Sequence, residues 1–156
     1  GVGGHCIAVD PWFIVSSVPE EAKMIKMARD VNDGKPAWVI KQVKAALEGK
    51  ESSTVAALGI AFKNDIDDLR ESPSLNIVKA LGEENPELDI RVVEPNVAEL
   101  PDSLSSVPNL KKQELVTAVQ DADVVLLLVN HKEFLQMDTS LLEGKSVIDT
   151  KGIWRS

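Results

Sequence analysis

The sequence predicts an α/β fold in which a long connecting helix precedes a doubly wound parallel sheet. Two observations support this prediction. After residue 53, short apolar segments of strand length alternate with segments of helical periodicity. Residues 123–129 are apolar at every position but the first, which is typical of a strand buried on both faces of a parallel sheet. Strands separated by helices in this way are expected to form one sheet.

The connecting helix is predicted over residues 19–49. Pro19 and the two acidic residues after it suit a first helical turn. An apolar stripe recurs at helical spacing: Met24, Ile25, Ala28, Val31, Ile40, Val43 and Leu47. The sequence Asp-Gly-Lys-Pro indicates either two helices in series or one helix kinked before Pro36. Because the stripe is longer than a small sheet can cover, we expect a homodimer or higher homo-oligomer.

The sheet domain is expected to follow a polar linker at 49–53. This boundary makes 1–18 the tail of a preceding catalytic region, 19–49 the connecting helix and 50–156 the sheet domain. Strands are predicted at 54–61, 88–94, 123–129 and, on the edge, 146–149; residues 95–108 are predicted irregular, with a short strand near 107–110 left open. Helices are predicted after an N-cap at Ser72, with Pro73 in the first turn, and at 114–121 and 132–137.

Rossmann-like sheets of this kind bind ligands beyond the carboxyl ends of their strands. The residues that fall there are Phe62, Lys63, Asn130 and Lys151. The loop at 62–72 lacks Gly-x-Gly-x-x-Gly and is acidic, so we do not expect it to hold a dinucleotide in the standard manner. Lys63 and Arg70 suit single contacts with an anion, whereas the alternative is a solvated turn with internal ion pairs. His131 is interpreted as a capping or surface residue as readily as a ligand group.

Composition narrows the function classes. Seventeen basic against 25 acidic residues give a net charge of −8, which disfavours nucleic acid and anionic membranes as partners. A single cysteine excludes an internal disulfide and, with two separated histidines, makes no metal site. These features favour a reducing, cytoplasmic compartment. No apolar run approaches the roughly 20 residues that cross a bilayer.

Chemistry is expected around Cys6, the only cysteine. The glycines at 1, 3 and 4 let the backbone approach a ligand, and we expect an open loop here because Gly-x-Gly-Gly is a poor start for a helix or strand. Asp10 is a candidate acceptor that holds a water, while His5 would point away from Cys6 in an extended loop. The alternative is that Cys6 is a small buried hydrophobe. Since no strand precedes this segment, we expect the chain to be a fragment.

Two long motifs carry a family resemblance. Residues 3–11, Gly-Gly-His-Cys-Ile-Ala-Val-Asp-Pro, and 59–73, Gly-Ile-Ala-Phe-Lys-Asn-Asp-Ile-Asp-Asp-Leu-Arg-Glu-Ser-Pro, resemble the UDP-glucose/GDP-mannose dehydrogenase family, as does the Lys-Gly-Ile-Trp near the end. The resemblance implies an NAD-dependent, dimeric enzyme of polysaccharide biosynthesis. Such an enzyme oxidises the 6-hydroxymethyl group of a UDP-sugar to a carboxylate through a thiohemiacetal and a thioester.

The same resemblance assigns site residues. It implies that Cys6 is the catalytic thiol and Asp10 a carboxylate that handles protons beside it. It assigns the UDP-sugar to Gly3, Phe62, Lys63 and Lys151, and an NAD contact to Arg70. A catalytic lysine belongs to the missing amino-terminal half, so the chain alone is expected to be inactive.

The resemblance leaves several UDP-sugars open as the substrate. Residues 8–13 are closer to enzymes that act on UDP-N-acetyl-D-mannosamine than to those for UDP-glucose, and UDP-N-acetylglucosamine enzymes are the nearest rivals. A different class also remains open: a non-catalytic module for nucleotide binding or oligomerisation, in which Cys6 is incidental.

Overall fold

The protein is described by a computed structural model that covers residues 1–49 and 53–154. Its centre is a five-stranded sheet in which all four strand pairs are parallel. The strands are β1 (Thr54–Leu58), β2 (Asp89–Val93), β3 (Leu110–Lys112), β4 (Val124–Leu127) and β5 (Ser146–Asp149), in the order β3-β2-β1-β4-β5. The predicted parallel α/β fold is therefore confirmed. The strand order reverses between β1 and β4, and such a reversal opens a ligand-binding crevice at the carboxyl ends of the two strands.

Seven helices and one 3₁₀ turn surround the sheet in the described part of the chain. They are α1 (His5–Ser17), α2 (Lys23–Asp33), α3 (Lys35–Ala46), α4 (Pro73–Glu84), α5 (Asp102–Ser105), α6 (Leu115–Asp121), α7 (Lys132–Leu135) and the 3₁₀ turn Thr139–Leu142. Sequence reasoning missed α5, which lies in the stretch predicted to be irregular. The strand left open near 107–110 forms slightly later, as β3.

Helix α4 begins where its capping residues predict. The Ser72 hydroxyl accepts a hydrogen bond from the Leu75 N–H at 3.3 Å and donates to the Ile60 carbonyl at 2.7 Å. Pro73 occupies the first turn, where its missing N–H costs nothing. Ser72 therefore both caps the helix and ties its start to the end of β1.

Each face of the sheet packs against its own apolar cluster. On one face, Val39, Ile40 and Val43 of α3 lie with α4 against β1, β2 and β4. On the other face, α6 packs with Phe134 and Met137. Strand β4 is buried at every residue, as the unbroken apolar run predicts.

The connecting segment is two helices in series, one of the two predicted arrangements. Helix α2 begins at Lys23 rather than at Pro19, because residues 19–21 form a turn. The prediction of a single apolar stripe was wrong, because Ile40 and Val43 are buried against the sheet, whereas Met24 and Val31 are exposed. Gly34, the one residue between α2 and α3, keeps helical dihedral angles, so the exposed and the buried apolar residues lie on successive helices and do not form one buried stripe.

The expected open loop around Cys6 is also wrong. Helix α1 starts at His5, directly after Gly4, and continues through Pro11. Local composition disfavours this helix, so contacts with the rest of the chain must stabilise it. Among the described residues, none of the helices has the length and apolarity needed to cross a membrane.

Candidate functional site

The candidate site lies at the carboxyl edge of the sheet, where the loop between β1 and α4 turns away. We call residues 60–72 the Lys63 loop. Phe62 is half-buried and Lys63 is exposed. The Phe62 N–H donates to the Asp68 carbonyl at 3.2 Å, which closes the loop on itself. Asp65 has a φ of 59°, in the left-handed region that only a few side chains tolerate.

The glycines before Cys6 pack directly against this loop. The Gly4 N–H donates to the Glu71 carbonyl at 3.2 Å. A Cβ on Gly3 would lie 2.1 Å from the Glu71 carbonyl oxygen, and one on Gly4 would lie 3.0 Å from Cε2 of Phe62. Only glycine permits these two approaches. Gly3, Phe62 and the start of α1 are thus brought together.

Cys6 is exposed at the second position of α1. Its sulfur lies 4.0 Å from Nδ1 of His5, so the expectation that the two side chains point apart was wrong. Asp10 follows four residues after Cys6, and on a helix this spacing places both side chains on one face, one turn apart. The helical conformation therefore places the thiol and the carboxylate one turn apart on the same side of α1.

Helix α2 holds the segment that carries Cys6. The Asn32 side chain accepts from the Val2 N–H at 2.7 Å and donates to the Val2 carbonyl at 3.0 Å. Nη1 of the buried Arg29 donates to the Ile7 carbonyl at 3.2 Å, and its Nη2 donates to Asp33 at 2.5 Å. These contacts tie both the approach to α1 and its first turn to a neighbouring helix.

Lys151 is positioned by a turn around Asp149, directly after β5. One carboxylate oxygen of Asp149 accepts from the N–H groups of Lys151 at 2.9 Å and Gly152 at 2.6 Å, and the other accepts from the Trp154 N–H at 2.9 Å. Lys151 is exposed and lines a cleft of about 1060 Å³ that also contains Gly1, Lys35 and Trp38.

Arg70 lies elsewhere. Its guanidinium is paired with Asp68, with Nε 3.0 Å from Oδ1 and Nη2 2.6 Å from Oδ2. This pairing lowers the pKa of Asp68 to about 2. Arg70 lines a second cleft, of about 710 Å³, beside Asn76 and Ser103. The turn with internal ion pairs, which was left open as an alternative, is therefore present, although Arg70 remains exposed.

A buried polar network that sequence reasoning missed lies beneath the Lys63 loop. His131 is fully buried, so its interpretation as a surface residue was wrong; it does occupy the N-cap position of α7, although its side chain makes no capping hydrogen bond. Its Nε2 lies 3.1 Å from Oε2 of the buried Glu94, which directly follows β2. Burial opposes ionisation of Glu94, but hydrogen bonds from His131 and the Ile60 N–H outweigh it and lower the pKa of Glu94. The available signal in the sequence was that Glu94 and His131 are polar residues that follow apolar strands.

The fold is a Rossmann-like α/β domain, and the segment that leads into the cysteine-bearing helix packs against the loop that follows β1. Residues 56–156 match the family model for the UDP binding domain of the UDP-glucose/GDP-mannose dehydrogenase family. The chain belongs to that family.

Curated relatives and solved structures agree with this assignment. The chain is 49% identical over 163 residues to UDP-N-acetyl-D-mannosamine dehydrogenase of Yersinia pestis, covering 99% of this chain and 38% of the relative. It is 47% identical to NDP-N-acetyl-D-galactosaminuronic acid dehydrogenase of Ralstonia solanacearum, covering 99% of this chain and 36% of the relative. The UDP-N-acetyl-mannosamine dehydrogenase structure from S. aureus matches with a TM-score of 0.77 and 34% identity, over 100% of this chain and 36% of that one. The chain thus spans little more than a third of these proteins.

Proposed function

We propose that this chain is the carboxyl-terminal part of an NAD-dependent UDP-sugar 6-dehydrogenase of the cytoplasm. The observation that carries the proposal is the contact of Gly3 and Gly4 with the Lys63 loop, because it joins the thiol to the family's UDP-binding domain. The proposed reaction converts UDP-N-acetyl-D-mannosamine to UDP-N-acetyl-D-mannosaminuronate. The relative that is 49% identical is a UDP-N-acetyl-D-mannosamine dehydrogenase, which supports this substrate.

UDP-N-acetylglucosamine and UDP-glucose are alternative substrates. A relative named for a galactosaminuronic acid product is almost equally similar, at 47% identity, so identity alone favours no single hexosamine. The other class, a non-catalytic nucleotide-binding or oligomerisation module, would make no use of an exposed thiol with a carboxylate one helical turn away. The exposure of Cys6 and its spacing from Asp10 therefore favour the enzyme.

In the proposed mechanism the chain's residues bind the sugar nucleotide and provide the nucleophile. Lys63 and Lys151 are exposed cations beyond the strand ends of a chain with net charge −8, and they would meet the diphosphate or the sugar. The Cys6 thiolate adds to the C6 aldehyde carbon; the carbon–sulfur bond forms as the carbonyl π bond breaks, and the oxygen takes a proton from water to give a thiohemiacetal. Once this carbon reaches the thioester level, water attacks it, Asp10 accepts the proton of that water, and the carbon–sulfur bond breaks to release the thiolate and the acid.

Both oxidations need a hydride acceptor, and NAD supplies this chemistry in the family. Among residues 1–49 and 53–154, we find no dinucleotide site of the standard Rossmann type. Ser72 and Pro73 fill the first turn of α4, where a Rossmann-type site would offer free N–H groups. Arg70, which is already paired with Asp68, is the single contact that we assign to NAD. We therefore assign the rest of the dinucleotide site to the remainder of a longer protein.

The test is an assay of the full-length protein with each UDP-sugar and NAD. We expect two NADH per sugar with UDP-N-acetyl-D-mannosamine and little with its epimer, UDP-N-acetylglucosamine. Cys6→Ser should prevent formation of the carboxylate. We also expect no NADH from residues 1–156 alone. Undiminished carboxylate formation by Cys6→Ser would contradict the thiol mechanism and favour the non-catalytic module.

A further inference from the structure

We propose that His131 is a positioning residue for the substrate-binding part of the Lys63 loop, which it holds through the backbone of Asp65. The proposal rests on the proposed function in one respect only, the assignment of Phe62 and Lys63 to the UDP-sugar. The contacts that support the loop are independent of that assignment.

The hydrogen bonds of His131 define one tautomer. The buried carboxylate of Glu94 can only accept, so Nε2 of His131, 3.1 Å away, carries the proton. Nδ1 then has a free lone pair, and the Asp65 N–H donates to it at 2.9 Å. The Asn96 amide nitrogen lies 3.1 Å from the same Nδ1, so its N–H shares this one lone pair with the Asp65 N–H. A neutral imidazole is therefore satisfied on both sides.

Glu94 and His131 hold the Lys63 loop on either side of its substrate residues. Oε2 of Glu94 accepts from the N–H groups of Ile60 at 2.8 Å and Ala61 at 3.1 Å. His131 holds the loop again at Asp65. Phe62 and Lys63 are the first residues of the short span between these two anchors. The anchors therefore determine the position of this span relative to β1.

Asp65 needs such support. A positive φ in a non-glycine residue is sparsely populated and persists when surrounding contacts enforce it. Besides its N–H bond to His131, Asp65 accepts the Lys132 N–H on Oδ1 at 2.9 Å. Both the backbone and the side chain of Asp65 are thus attached to the segment that follows β4. Without His131, Asp65 would lose the acceptor for its N–H and one of the contacts that maintain its conformation.

Loss of the His131 contact should also affect α1, the helix that carries the thiol. Phe62 belongs to the held span, and its ring lies so near Gly4 that a Cβ on Gly4 would be 3.0 Å from Cε2. Gly4 is the residue that precedes α1. A displaced Phe62 would therefore alter the substrate contacts and the contact surface of Gly4 together. A buried histidine that served stability alone would have no such directed effect.

The experiment compares His131→Ala and His131→Asn in the full-length dehydrogenase. We expect the alanine variant to raise KM for the UDP-sugar by about tenfold with a smaller change in kcat, because a displaced Lys63 loop weakens substrate binding in both ground and transition states. Asparagine can place an oxygen near the position of Nδ1 and accept the Asp65 N–H, so its KM should lie close to that of wild type.

Leu110→Ala is the matched control for lost stability. Leu110 is buried at the start of β3 and packs against Gly82 near the end of α4, so it lies at the opposite edge of the sheet. This variant should lower the melting temperature without changing KM. If Leu110→Ala and His131→Ala raise KM equally at matched stability, His131 has no positioning role and the proposal is overturned.

Amide exchange in residues 1–156 tests the contact between Asp65 and His131 without an activity assay. We expect the Asp65 N–H to exchange at least about a hundredfold more slowly than an unprotected amide, although it lies in a loop. A ¹⁵N spectrum of His131 should show a protonated Nε2 and an unprotonated Nδ1. These measurements need only the wild-type chain, so they decide the question even if His131→Ala does not fold. Rapid exchange of the Asp65 N–H, or a protonated Nδ1, would overturn the proposal.

Lys63→Ala separates this proposal from the proposed function. If Lys63→Ala raises KM and His131→Ala does not, the substrate assignment holds and the positioning role fails. If His131→Ala speeds exchange of the Asp65 N–H while Lys63→Ala leaves KM unchanged, His131 does hold the loop, and the assignment of Lys63 to the substrate is wrong.

Discussion

Arg29 donates a hydrogen bond from Nη1 to the Ile7 carbonyl at 3.2 Å. In a regular helix this carbonyl would accept the N–H of residue 11, but residue 11 is Pro11, which has none. The guanidinium therefore satisfies the group that the proline leaves without its helical partner. Arg29 is itself buried, and the carbonyl it binds belongs to the residue next to Cys6. This contact helps to explain how a helix forms where local sequence disfavours one.

Removing Arg29 should destabilise α1. We expect Arg29→Ala to lower the free energy of unfolding by about 1–3 kcal/mol, because it leaves the Ile7 carbonyl without its donor and removes the charged donor of Asp33. Lys26→Ala is the control on the same helix: its ion pair with Asp30 is exposed and should contribute about 0.5 kcal/mol. Denaturant unfolding measures both.

Pro11→Ala tests the mechanism of this effect. Alanine at position 11 supplies an N–H that can donate to the Ile7 carbonyl. Arg29→Ala should therefore lower the free energy of unfolding by less in the Pro11→Ala background than in wild type. Equal costs in the two backgrounds would show that Arg29 acts through Asp33 or packing alone.

Gly4→Ala should destabilise the chain and disturb the site. Gly4 has φ 100° and ψ 157°, a region that is essentially restricted to glycine and costs other residues about 1–3 kcal/mol. Its new Cβ would also press on the Phe62 ring at 3.0 Å. Gly144→Ala provides the comparison, since Gly144 has a φ of 74° and no atom within 4 Å of an added Cβ. It should show backbone strain alone. A Gly4→Ala variant no less stable than Gly144→Ala, with an unshifted Phe62 resonance, would contradict the close contact.

The ionised form of Glu94 should make stability dependent on pH. The folded-state pKa of Glu94 lies below the ordinary value of 4.5. Burial alone would raise this pKa, but the hydrogen bonds from His131, the Ile60 N–H and the Asn96 N–H lower it by more than burial raises it. A lowered folded-state pKa means that the stabilisation is complete above about pH 4.5 and is lost as the pH falls through the folded-state pKa.

Glu94→Gln cannot ionise and should lack this dependence. The difference in unfolding free energy between wild type and Glu94→Gln should therefore be largest near neutral pH and shrink below pH 4.5. Denaturant titrations at several pH values measure it. A difference that stays constant into acid would mean that the charge of Glu94 contributes nothing to folding.

Helix α2 should carry the self-association surface. Met24 is 83% exposed and Met27 64% exposed, and the spacing of three residues places them on one side of the helix. Met27→Glu should shift an oligomer toward monomer in light scattering. Leu135→Glu introduces the same charge at a comparably exposed apolar position on α7 and should leave the assembly unchanged. A wild-type protein that is monomeric at high concentration would contradict this prediction.

The sequence by itself determined the sheet and several of the element boundaries. Unbroken apolar runs such as β4 and local capping signals such as Ser72 before Pro73 act over a few residues, so they can be recognised without the rest of the chain. The strands after which Phe62, Lys63 and Lys151 lie were therefore predictable, and so was the edge of the sheet that should carry a ligand.

Only the tertiary structure decided the conformation around Cys6 and the role of His131. Helix α1 depends on Arg29 and on glycines that approach the Lys63 loop, and these partners are 22 or more residues away. His131 and Glu94 are 37 residues apart and meet because parallel strands bring their carboxyl ends to one edge. A lone polar residue in a sequence gives no indication of such a partner, since burial and pairing arise only when distant segments pack together.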